Sequence, residues 1–174
     1  MKKIIVTYFE PFGGRTTNAS KEVVSLLNDY NKKELPVSWS KISSCVEDLL
    51  ANEPDYLFLV GEAGKRDCIS VEKYAHNIAN GVDNNGVNKD NEKIDTSGLE
   101  AIETKFDLNK LPYRISEDAG KYLCNYTYYL ALSKAKSIKV LFIHLPYIEK
   151  EGPNSLLNLN KDLINIIETL TRED

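Results

Sequence analysis

The chain has 174 residues, 42% of them apolar, which suffices for one substantial core and requires no second domain. Its net charge of −4, with acids and bases interspersed, offers no basic face for nucleic acid. The cysteines Cys45, Cys68 and Cys124 are an odd count with no CxxC pair, which argues against a disulfide framework and against a cysteine-based zinc site.

The opening MKKIIVTYF places two lysines before an apolar run that breaks at Glu10-Pro11. The run is too short for a signal-peptide core or a bilayer span, and it reads as a first strand. Free thiols without an export signal point to the cytoplasm and to a chain that does not enter a membrane. Val23, Leu26, Leu27 and Tyr30 recur at helical spacing, so a helix is expected over 18–30 with Asn18 near its start. Val37 and Trp39 alternate with serines as in a strand, and Ser44-x-x-Glu47 has the form of a capping box opening a short helix.

Tyr56–Val60 is an all-apolar strand ended by Gly61, and Ile69–Glu72 alternates like another strand. Residues 77–93 are rich in Asn, Asp and Gly without periodicity and read as a loop. Residues 98–106 are compatible with a helix, 112–115 with a short strand, and a long helix is expected from Ser116 onward. Ile138–Ile143 is an apolar strand ending at His144, and an amphipathic helix follows Pro153. Strands alternating with helices predict a single α/β domain over residues 1–174, a three-layer α/β/α sandwich with a mostly parallel twisted sheet. Sites in such sheets gather at the carboxyl ends of strands.

Three residues form a chemical set. Cys124 lies in AGKYLCNYTYYL, where Gly120, Cys124, Thr127 and Ala131 share one small-residue face if the segment is helical. Such a face suits close packing on a sheet, and equally a substrate beside the sulfur. His144 ends an apolar strand, and Glu72 ends the alternating one. A thiol nucleophile needs a base, and the base needs an acid to set its tautomer, so Cys–His–Glu is a coherent catalytic set. Gly61–Asp67 lacks the spacing of a phosphate loop. No metal or cofactor is expected.

The same residues sit in blocks that resemble the pyroglutamyl peptidase I family. Thr7–Gly14 resembles its TGFEPFGG, and Asn18-Ala-Ser20 its NPS. Val60–Arg66, Glu72–Asn77, Ala119–Asn125 and Phe142–Tyr147 are similar to four further blocks, in family order. The resemblance implies a cysteine peptidase that hydrolyses an N-terminal pyroglutamyl amide through a thioester. It makes Cys124 the nucleophile, His144 the base and Glu72 the orienting acid. It places Phe9 and Phe12 on the lactam pocket, with Asn18 close by and Glu62 where many members carry glutamine. It further implies an α/β/α sandwich, a small peptide with a blocked N-terminus as partner, and assembly as a homo-oligomer, dimer or tetramer.

The block ARIPDNxG appears here as Gly81–Gly86 without its arginine and proline. A carboxylate at Glu62 facing a neutral lactam is costly unless it is protonated or paired. Two other readings remain open at this level: a cysteine amidohydrolase for a different cyclic or N-terminal amide, and a non-catalytic binding protein on the same scaffold.

Overall fold

The computed structural model describes residues 2–172. In chain order the elements are β1 (Ile4–Phe9), α1 (Ala19–Ser25), β2 (Asn31–Leu35), α2 (Trp39–Ala51), β3 (Tyr56–Glu62), β4 (Ser70–Glu72), β5 (Tyr74–His76), β6 (Ala79–Val82), β7 (Asn88–Glu92), β8 (Ala101–Glu103), β9 (Arg114–Ser116), α3 (Leu123–Lys134), β10 (Lys139–Leu145) and α4 (Leu156–Thr171). Six strands form the main sheet in the order β2-β1-β3-β10-β4-β9. The first four are parallel, whereas β4 pairs antiparallel with β10 and β9 parallel with β4.

Helices cover both faces. Leu57, Leu59, Val140 and Phe142 pack with α2 and α3, and Phe58, Val60, Leu141 and Ile143 pack with α1 and α4. Burial on both sides is why β3 and β10 are nearly all apolar and show no polar alternation. The expected three-layer arrangement with a mostly parallel sheet is present.

Local expectations failed where a distant residue supplies the decisive bond. Trp39 opens a helix, and Ser44 lies inside it with its hydroxyl donating to the Lys41 carbonyl. The Trp39 amide instead donates to Asp83 Oδ2 at 2.9 Å, across 44 residues. The second strand is the polar Asn31–Leu35, paired to β1 at the sheet edge, where one solvated side hides any apolar alternation. Helix α1 stops at Ser25, before Asn28 and Asp29, whose side chains favour turns.

Residues 77–93 are ordered as well. They hold the β6–β7 hairpin, whose turn is fastened by Asp83 Oδ1 accepting from the Asn85 and Val87 amides. Where a helix was compatible with 98–106, β8 pairs antiparallel with β5. Helix α3 begins at Leu123, seven residues later than expected, because Gly120 takes φ +82° and Tyr122, just before the helix, is extended. Gly120 therefore shares no helical face with Cys124, and Cys124 stands in the first turn.

Candidate active site

The site forms where β1, β3 and β10 end. In the register of the sheet His144 lies beside Gly61, and Phe142 lies opposite Glu72. Directly opposed residues of an antiparallel pair share a face, as do residues two apart on a strand. Glu72 and His144 thus project to the same side, toward α3. The His144 Nδ1–H donates to Glu72 Oε1 at 2.6 Å, which leaves Nε2 as the free lone pair. Glu72 is fully buried and His144 is 3% exposed. Tyr128 on α3 donates its hydroxyl to the Glu72 carbonyl at 2.9 Å and ties the helix to this strand.

Cys124 is brought in by α3. Its sulfur rests on Gly61: a Cβ added there would lie 2.7 Å from Cys124 Sγ and 2.7 Å from Phe142 Cζ. The strand neighbour of His144 is therefore glycine because the sulfur occupies the side-chain position. Gly61→Ala is expected to push the sulfur or Phe142 aside. It should destabilise by about 1–3 kcal/mol and lower kcat roughly a hundredfold. Thermal melts and steady-state kinetics check this, and an alanine variant with wild-type kcat would contradict the packing argument.

A cavity of about 280 Å³ opens over the sulfur, and Phe9, Phe12, Asn18, Glu62, Cys124 and His144 all line it. Glu72 lies behind His144 and does not face the cavity. Asn18 caps α1: its Oδ1 accepts from the Ser20 amide at 2.9 Å and the Ser20 hydroxyl at 2.7 Å, while Nδ2 donates to the Glu10 carbonyl. The Ser20 hydroxyl oxygen accepts from the Phe9 amide, so Asn18 fixes the backbone that presents Phe9. Phe12 packs against Tyr122, which packs edge-on against Trp39.

Glu62 is paired. Its Oε2 accepts from the Ala19 amide at 2.7 Å at the start of α1, and Arg15 forms an ion pair with Oε1. The Arg15 guanidinium lies 4.3 Å from the centre of the Tyr147 ring. Gly64 makes room for that ring, since a Cβ there would fall 2.0 Å from it. The carboxylate is thus satisfied inside the protein, which removes the penalty that a lone charge against a neutral ligand would carry.

Burial, followed by the nearby Glu72 charge, pushes the Cys124 thiol up to about 12. Burial also pulls the His144 imidazole below its ordinary value, against the upward pull of Glu72. Both shifts favour a neutral thiol and a neutral imidazole at rest.

Sequence reasoning missed four contributors. Arg66 reaches Glu72, Ser70 and the Asp118 carbonyl. Tyr122 walls the cavity. Asn125 bonds the His76 amide and the His76 and Ile78 carbonyls, which anchors the first turn of α3. Gly61 seats the sulfur. Arg66 and Gly61 stand in the Val60–Arg66 block and Asn125 follows the cysteine, so their places were marked, but nothing local reveals their partners. In the Gly61–Arg66 turn the Ala63 amide is bonded to the Leu145 carbonyl and the Arg66 amide to the Ala63 carbonyl, so neither is free to meet an oxyanion.

Comparison with known proteins places the whole chain. The pyroglutamyl peptidase family profile matches residues 2–156. A pyrrolidone-carboxylate peptidase of Fusobacterium nucleatum is 34% identical over 98% of this chain and 90% of its own. One of Thermosipho africanus is 34% identical over 97% of this chain and 93% of its own. The crystal structure of pyrrolidone carboxyl peptidase from Thermus thermophilus superposes with a TM-score of 0.89 at 29% identity, covering 96% of this chain and all of that one. With the family profile matched over residues 2–156 and relatives matched over nearly the whole length, the chain belongs to the pyroglutamyl peptidase family.

Proposed function

We propose that this single α/β unit is a cysteine-type omega-peptidase that removes an N-terminal pyroglutamyl residue from a peptide, with Cys124 as nucleophile, His144 as base and Glu72 as the acid that orients it. Family membership supports the reaction. The observation that carries the residue assignment is the 2.6 Å bond between buried Glu72 and His144, which lines one cavity together with Cys124.

In the first step His144 Nε2 takes the thiol proton as Sγ attacks the pyroglutamyl carbonyl carbon. Because burial disfavours the thiolate, this transfer accompanies the attack. Glu72 stabilises the imidazolium that results. The developing oxyanion is met by orphan amides in the first turn of α3, where Cys124 stands and no side chain caps the helix. The imidazolium then gives its proton to the leaving amine, and the C–N bond breaks to leave a thioester. Water, deprotonated by His144, hydrolyses the thioester, releases pyroglutamate and restores the thiol.

Phe9 and Phe12 offer apolar faces to the lactam ring, while Asn18 and the Arg15–Glu62 pair hold that wall in place. The neutralised Glu62 favours a neutral lactam over a cationic substrate. The His144–Glu72 bond, beside a cavity that both His144 and Cys124 line, supports catalysis over a binding protein. Free Cys45, Cys68 and Cys124 support a reducing, cytoplasmic setting. No helix among the described residues is long and apolar enough to cross a membrane.

Release of a fluorophore from a pyroglutamyl amide tests the reading. Hydrolysis is expected, with no turnover of the matching prolyl or glutamyl amide. Failure to cleave the pyroglutamyl amide by folded protein would overturn the substrate assignment.

A further inference from the structure

Among the described residues, Arg66 is the only arginine or lysine side chain lining the cavity. It is 20% exposed and turned toward protein groups. Nη2 lies 2.7 Å from Glu72 Oε1, the same oxygen that accepts from His144. Nη2 also donates to the Asp118 carbonyl at 2.8 Å, and Nη1 to the Ser70 hydroxyl at 2.7 Å. One planar fork therefore joins three segments: the strand that carries the acid, the turn after β3, and the extended chain that leads into the nucleophile's helix. A lysine is a single point charge and cannot hold these directions at once. Among the described residues, Arg66 and His144 are the only ion-pair partners of Glu72, and its Oε2 has no hydrogen-bond partner.

We propose that Arg66 is a positioning residue: it supplies the counter-charge to the buried Glu72 carboxylate, keeps it aimed at His144, and latches the Asp118 segment to the same carboxylate. The inference rests on the catalytic assignment above. The reason is electrostatic. A fully buried carboxylate beside a neutral imidazole lacks a counter-charge, and it gains one by protonating the imidazole. A protonated His144 cannot accept the thiol proton. A fixed guanidinium supplies the counter-charge without occupying Nε2.

The charged groups that act on His144 are Glu72 from β4, Arg66 from the turn after β3 and Asp118 from the lead into α3; Glu72, Arg66 and Glu62 act on the Cys124 thiol. Of these only Arg66 carries a permanent positive charge. Its field lowers the imidazole's proton affinity, and the two acids raise it.

The chain has two histidines, so proton NMR of the ring signals, assigned with His76→Gln, follows His144 without any need for turnover. In Arg66→Gln the His144 titration is expected to rise by about one pH unit or more, and the acid limb of kcat/KM to rise with it. In Arg66→Lys the titration should stay near its wild-type position, while kcat falls about tenfold through lost alignment. A glutamine variant whose His144 titrates as in the wild type overturns the proposal. If that variant does not fold, a lysine variant with unchanged kcat and KM overturns it. Wild-type protein that fails to cleave pyroglutamyl amides, yet shows the His144 shift in Arg66→Gln, would sink the substrate assignment and uphold the role of Arg66.

Discussion

Cys124→Ala is expected to reduce hydrolysis of a pyroglutamyl amide by about ten-thousand-fold or more in kcat, with little change in melting temperature. The two effects separate for a structural reason. Alanine retains the Cβ and the first turn of α3, which Asn125 anchors through three backbone bonds. Only the sulfur over Gly61 is lost, and the space it leaves adjoins the cavity. Residual rate comes from binding and from the oxyanion donors, which remain. Product pyroglutamate should still protect the variant against thermal unfolding. A variant that retains more than about one per cent of kcat would show that another group is the nucleophile. In the wild type, alkylation of Cys124 by iodoacetamide should still be accelerating near about pH 9, because burial holds the thiol at about 12. A plateau between about pH 5 and 7 would mean a preformed thiolate–imidazolium pair instead.

Glu72→Gln should lower kcat by about ten-thousand-fold as well, and here stability falls with it. An amide oxygen aimed at His144 Nδ1–H leaves the NH2 group at the Oε2 position, which is buried and has no partner. The opposite orientation turns the NH2 group toward Arg66 and His144, which repels the first and imposes the wrong tautomer on the second. Arg66 also loses its carboxylate, and removal of one member of a buried pair costs up to about 3–5 kcal/mol. The pH dependence has a definite sign. The Glu72 charge raises the imidazole's proton affinity, so its removal lowers the His144 titration and moves the acid limb of kcat/KM to lower pH. Arg66→Gln moves the same limb the other way. Opposite shifts in the two variants would be hard to obtain from general loosening of the site.

The sequence alone was enough to specify the layers. Strands β3 and β10 are apolar because both faces are covered, and that signature survives in any window around Tyr56–Val60 or Ile138–Ile143. The residue types proposed for catalysis and the aromatic residues that line the cavity were legible too, because they stand in short blocks next to strand ends. Tertiary structure decided what those blocks could not encode locally. Asp83 caps α2 from 44 residues away, so the helix start at Trp39 had no neighbouring signal. The hairpin at Ala79–Glu92 is polar and held by side-chain-to-backbone bonds, so hydrophobic periodicity could not reveal it. Gly120 delays α3 and sets Cys124 in its first turn, where helix amides are unpaired. The charge on Glu62 looked like a cost in the sequence and is neutralised by Arg15, 47 residues away. Pairwise electrostatics of this kind depend on distance in space, and only the fold brings Arg66, Glu72 and His144 onto one oxygen.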